Sequence, residues 1–124
     1  MRCYQIQIPL ARARGLGSAR SGASQWWAQR VTAIALVPLT IWFVVSIVPL
    51  MAAGHQAFLD WRGSRINVVL LTLFVLMLFY HMALGLQVIA EDYLHRESTK
   101  ITAKISIQLA CLTLTIASIV AILR

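Results

Sequence analysis

INVVLLTLFVLMLFYHMALGLQVIAEDY, residues 66–93, holds no Asp, Glu, Lys or Arg from Ile66 to Ala90, between Arg65 and Glu91. A bilayer's hydrocarbon core takes about 20 predominantly apolar residues in one helix, so this run is long enough to cross it. No water is available there to satisfy peptide groups, so the run must be helical. Two further runs repeat the pattern: Val31 to about Ala53, after Arg30, and Ile105–Leu123, between Lys104 and Arg124. The last only just reaches the required length. The sequence therefore reads as an all-α integral membrane protein with three transmembrane helices, over about 31–53, 66–90 and 105–123. Pro38 and Pro49 are expected to kink the first helix, or to shorten it near Pro49.

Composition agrees. Of 124 residues, 60% are hydrophobic and 12% charged, whereas soluble domains run at about 45–50% and about 25%. One domain of this length cannot hide so much apolar surface in its own core, so lipid must cover much of it. The net charge of +7 does not point to nucleic acid. The basic residues lie outside the apolar runs, and no basic-aromatic surface remains once the spans are removed. They read instead as topology signal and as contacts to anionic headgroups.

Arg2, Arg12, Arg14, Arg20 and Arg30 precede the first span, and Arg96, Lys100 and Lys104 lie between the second and third. The other side holds only Arg62, Arg65 and Arg124. This asymmetry predicts a cytoplasmic N-terminus and a periplasmic C-terminus. In a mitochondrion the matrix takes the cytoplasm's place. The Arg-rich, acid-free start also has the composition of a transit peptide, but no secretory h-region precedes the first span. We read residues 1–25 as a basic, partly disordered cytoplasmic arm and residues 26–124 as the three-helix membrane domain. Trp26 and Trp27 fall where an interfacial aromatic belt forms. A disulfide between Cys3 and mid-span Cys111 is implausible, and the absence of CxxC and CxxCH excludes zinc ribbons and covalently attached haem.

Few polar groups enter the spans, and each is a candidate for function. His81 sits in the second span. Asp92, eleven residues on, falls on almost the same helix face about 16 Å lower, and Gly85 lies near that face. An intramembrane imidazole beside a small-residue gap suits an axial haem ligand. It equally suits an interhelical hydrogen bond, with Gly85 serving close packing. His55 and His95 lie outside the spans, so a second axial histidine must come from another chain. Asp92 and Tyr93 suit either a solvated helix end with a belt tyrosine or a quinone site. In a quinone site the phenol would donate to a carbonyl, and the carboxylate would orient it or relay protons. Arg30 is either a snorkelling, topology-setting arginine or a charge-assisted contact to a haem propionate or the quinone region.

The stretch HMALGLQVIAEDY, 81–93, closely resembles the signature of the succinate dehydrogenase hydrophobic membrane anchor, the D subunit of respiratory complex II. Its features are a haem-ligating His, a Gly four residues on, a Gln shortly after and a closing Asp-Tyr pair. WWAQRVTAIA, 26–35, resembles the entry to that family's first helix. The resemblance covers about residues 15–124. It implies His81 as one axial ligand of the haem b iron, Tyr93 bonded to the ubiquinone carbonyl, Asp92 supporting that region and Arg30 near the propionates or the quinone. It also implies a C subunit supplying the second haem ligand, an iron–sulfur subunit with its clusters and a flavoprotein with FAD. Succinate oxidation in the tricarboxylic acid cycle would occur in those chains, and this one would carry no catalysis alone. The expected site is a bacterial inner membrane, with the mitochondrial inner membrane as the alternative. Fumarate reduction is the same chemistry reversed, but the Asp-Tyr pair favours succinate oxidation. The competing readings are a structural adaptor without cofactor and a small transporter. A transporter requires polar residues along a path, and no span here contains Asp, Glu, Lys or Arg.

Overall fold

The computed structural model describes the backbone of residues 18–124 and the side chains of residues 22–124. Four helices follow one another: α1 (Ser18–Ala53), α2 (His55–Gly63), α3 (Arg65–Tyr93) and α4 (Glu97–Leu123). Three of them, α1, α3 and α4, are long and apolar enough to cross a membrane. The three expected spans are all present, but each helix outruns its apolar run. At 36 residues α1 is about 54 Å long, well beyond a hydrocarbon core of about 30 Å. Its first turns therefore stand in the headgroup region or beyond. Residues 1–17 of the expected arm lie outside the described residues; from Ser18 onward the backbone is helical.

The helix boundaries have local causes. α1 runs through Pro38 and Pro49 to Ala53, so Pro49 does not shorten it. Each proline removes one N–H, and in lipid the helix remains better satisfied than any other backbone. It stops at Gly54, whose φ of 88° and ψ of 177° lie in a region open essentially only to glycine. The short α2 then doubles back against the end of α1, where Trp61 stacks on Trp42 with centroids 5.9 Å apart. Asn67 Nδ2 donates to the Trp61 carbonyl at 2.8 Å, satisfying one of the last carbonyls of α2. Only Leu94–Arg96 separate α3 from α4, which makes the two antiparallel neighbours. α4 begins at Glu97 rather than near 105, because an acid suits a helix N-terminus and nothing between 97 and 104 breaks the helix.

The arrangement is an open layer. α3 packs against α1 on one side and α4 on the other, and the outer two do not touch among the described residues. Buried positions are few: Thr32, Leu36 and Leu39 on α1, Ala83, Leu84 and Gln87 on α3, and Cys111 on α4. Thr32, Leu36 and Leu39 follow i, i+4, i+7 spacing and form the stripe that faces α3. Phe43 and Phe74 stack at 4.9 Å across the same α1–α3 seam. Only 6% of the apolar stretch of α4 is buried. Within the spans Thr72, Thr113, Thr115 and Ser118 each donate to the carbonyl four residues earlier. Those hydroxyls are turned back on their own helices and do not line a polar path.

Gly54 and Gly63 give a paired test, since a Cβ at either meets nothing within 4 Å and only Gly54 has positive φ. Gly54→Ala should lower the thermal midpoint of the detergent-solubilised protein through a cost of about 1–3 kcal/mol. Gly63→Ala should leave it unchanged or slightly raised. Equal midpoints for Gly54→Ala and wild type would refute the backbone reading of this turn.

Candidate functional site

One cluster of polar groups in the membrane domain lies on the α1–α3 seam. Going towards the N-terminal end of α1, its inward stripe changes from Phe43, Leu39 and Leu36 to Thr32, Gln29 and Gln25. Opposite, α3 presents His81, Gly85 and Val88. The centre of the site is a short chain of hydrogen bonds. Thr32 Oγ1 lies 2.7 Å from the Ala28 carbonyl oxygen and 3.0 Å from that of Gln29. The same Oγ1 lies 2.9 Å from Nδ1 of His81. Thr32 is 5% exposed and His81 half-buried, so this contact is shielded. Nε2 of His81 has no hydrogen-bond partner among the described residues.

The two readings of His81 therefore do not compete. The interhelical hydrogen bond uses one ring nitrogen and leaves the other open. Gly85 takes the packing role: a Cβ there would lie 3.4 Å from Nε2 of Gln29, so the Gln29 side chain fills the approach that the missing side chain opens.

Below this point α1 and α3 enclose an open cavity of ≈ 430 Å³, lined in part by Gln25, Trp26, Gln29, Arg30 and Glu91. Nε2 of Gln25 is buried without a hydrogen-bond partner. The Arg30 guanidinium sits 4.6 Å from the Trp26 ring centroid, a cation–π contact that holds an exposed arginine at the cavity rim. Two carboxamides and a guanidinium are a donor-rich set, suited to carboxylate or carbonyl oxygens. Sequence reasoning singled out Arg30 but missed Thr32, Gln25 and Gln29. Nothing in one dimension pairs residues 49 positions apart, such as Thr32 and His81.

Asp92 and Tyr93 close α3, both exposed, Tyr93 at 79%. Neither side chain makes a hydrogen bond or ion pair among the described residues. The neighbouring Glu91 pairs instead with Lys104 at 3.8 Å, both about half exposed, a tie between α3 and α4 worth little in water. Gln87 is not brought to the His81 face. It is 6% exposed and lines a separate ≈ 460 Å³ cavity against α4, with Tyr80, Gln108 and Cys111. Among the described residues no three His, Cys, Asp or Glu side chains gather to hold a metal ion.

Residues 5–121 match the family model described as succinate dehydrogenase/fumarate reductase transmembrane subunit. The succinate dehydrogenase hydrophobic membrane anchor subunit of Rickettsia conorii is 31% identical over 120 residues, 96% of this chain and 95% of its own. The subunit of that name in Paracoccus denitrificans is 31% identical over 85 residues, 68% of this chain and 66% of its own. The succinate dehydrogenase membrane anchor subunit of Reclinomonas americana is 29% identical over 87 residues, 68% of this chain and 72% of its own. No solved structure matches.

The packing role of Gly85 is open to test. Gly85→Ala adds only an ordinary contact with Gln29 and should be tolerated. Gly85→Leu should force α1 from α3 and lower the thermal midpoint through about 1–3 kcal/mol of overpacking. A Gly85→Leu protein as stable as wild type would show that the seam does not need the glycine.

Proposed function

We infer this chain's role from its family: it belongs to the succinate dehydrogenase/fumarate reductase transmembrane subunits, and it is a membrane anchor of succinate dehydrogenase. It carries no catalysis alone and works with partner subunits of that complex. We propose the finer assignment as follows. The partners are a C-type anchor, an iron–sulfur subunit and an FAD-containing flavoprotein. The complex lies in a bacterial inner membrane, with the N-terminus of this chain cytoplasmic and its C-terminus periplasmic. The eight basic residues before the first apolar run and between the second and third support that orientation against three on the opposite side.

His81 would hold the iron of haem b. The observation that carries this is the ring itself: Nδ1 is engaged by Thr32, and Nε2 is left without a partner in an apolar span. When bound, haem would supply a one-electron redox centre. The chain's own contribution is orientation. Gln25, Gln29 and Arg30 offer donors to propionate or quinone oxygens at the end of the α1–α3 seam. Tyr93 donates its phenolic proton to the ubiquinone carbonyl, and Asp92 supports that region and relays protons, two of which quinone reduction takes up. Both side chains are exposed at the end of α3 with no internal partner, as an interface residue must be before its partner arrives. Succinate oxidation and electron entry belong to the partner chains.

Tyr93→Phe tests the quinone assignment. Succinate-to-quinone electron transfer should fall roughly five- to tenfold, the equivalent of one hydrogen bond. Succinate oxidation with a soluble dye should be unchanged, because the dye bypasses the membrane site. Normal quinone reduction in the assembled Tyr93→Phe complex would remove Tyr93 from the site.

A further inference from the structure

The hydroxyl of Thr32 has one proton to give and three neighbours within hydrogen-bond distance. Two of those neighbours, the Ala28 and Gln29 carbonyl oxygens, can only accept. At 2.7 Å, Oγ1 and the Ala28 oxygen are at the usual separation of an O–H···O bond. Without a proton between them, two oxygens so close would repel. The hydroxyl proton therefore lies on the carbonyl side, and the 2.9 Å contact to His81 is a bond only if Nδ1–H donates to Oγ1. A neutral imidazole carries one ring proton, so Nε2 holds the lone pair.

The opposite tautomer fails twice. It would set the Nδ1 lone pair against an Oγ1 that has already spent its proton. It would also leave an Nε2–H donor without an acceptor among the described residues, at the cost of burying an unpaired polar group. We propose that Thr32 is a positioning residue. Held on the Ala28 carbonyl, it fixes the His81 ring and the tautomer whose Nε2 can bind iron. This rests on His81 being the haem ligand, as proposed above, and adds the residue that prepares it. The role parallels a general requirement: a metal-bound histidine donates its other N–H to an acceptor that sets orientation and raises its basicity. Here the acceptor is a hydroxyl on the neighbouring helix, polarised by its own bond to the backbone. At 5% exposure Thr32 leaves little room for water to substitute.

The test uses the whole complex purified in mild detergent, with haem read by reduced-minus-oxidised spectrum, midpoint potential and low-spin electron paramagnetic resonance. Thr32→Val keeps the shape and removes the acceptor. It should weaken haem retention by about tenfold or more, shift the paramagnetic signature and move the midpoint potential upward, because a less basic imidazole favours the ferric state less. Thr32→Ser keeps Oγ1 and should restore all three readings. If Thr32→Val does not assemble, Thr32→Ala, which trims the side chain without adding bulk, carries the same comparison. Wild-type spectrum, potential and haem content in the variant lacking the hydroxyl would overturn the proposal. So would a Thr32→Ser complex as impaired as Thr32→Val, since the methyl and not the hydroxyl would then matter. His81→Ala separates the two claims. If low-spin haem persists unchanged there, the ligand assignment itself falls, whatever Thr32 does.

Discussion

Hydrocarbon offers no water to a stranded polar atom, and the hydrogen bond between His81 and Thr32 follows from that constraint. An imidazole in the middle of α3 cannot be left alone, and α1 supplies the nearest acceptor, a hydroxyl already tied to its own backbone. The bond fixes the rotation of α1 about α3. With Thr32 turned inward, Leu36 and Leu39 follow one and two turns later on the same stripe, and Gln29 comes to rest against Gly85. Arg30, one residue off that stripe, is then thrown to the rim, where Trp26 holds it. The packing seam and the polar end of the cavity are two consequences of one helix register.

The layer built this way is not closed. α3 is flanked on both sides, but α1 and α4 each present an outer face of large apolar residues, such as Ile34 and Val45 on α1 and Leu109 and Ile116 on α4. Lipid suits such faces, and so does another transmembrane subunit. The site has the same incompleteness. His81 offers one nitrogen, the α1–α3 cavity is open and lined by Gln25, Gln29, Arg30 and Glu91, and Asp92 and Tyr93 stand exposed at the end of α3. On the function proposed above, an anchor subunit has this form because its cofactor and substrate pockets would be completed between chains.

Much of this was legible in the sequence, and the part that was not has a physical reason. Charge-free runs marked three spans because burying Asp, Glu, Lys or Arg in lipid is so costly that their absence is almost a ruler. The helix ends were less legible. Ser18 and Glu97 begin helices well before the apolar runs start, since helix continues into the headgroup region wherever nothing breaks it. Proline at 49 was a poor stop signal, and Gly54, five residues after it, was the effective one. His81, Asp92 and Tyr93 stood out as rare polar groups at a recognisable spacing. Thr32 did not, because a threonine in a span usually turns back on its own helix, as Thr72 and Thr113 do. Its second bond, to a residue on another helix, depends on how α1 is rotated. Gln87 shows the converse: it belongs to the same sequence motif as His81 yet faces α4.

The most direct test of the account is purification of the tagged chain from native membranes in mild detergent, followed by a reduced-minus-oxidised spectrum and a succinate–quinone assay. The account predicts that flavoprotein, iron–sulfur and second anchor subunits come with it, together with a b-type haem signal and succinate-dependent quinone reduction. Recovery of the intact chain alone, without haem, under conditions that keep other membrane complexes together, would contradict it.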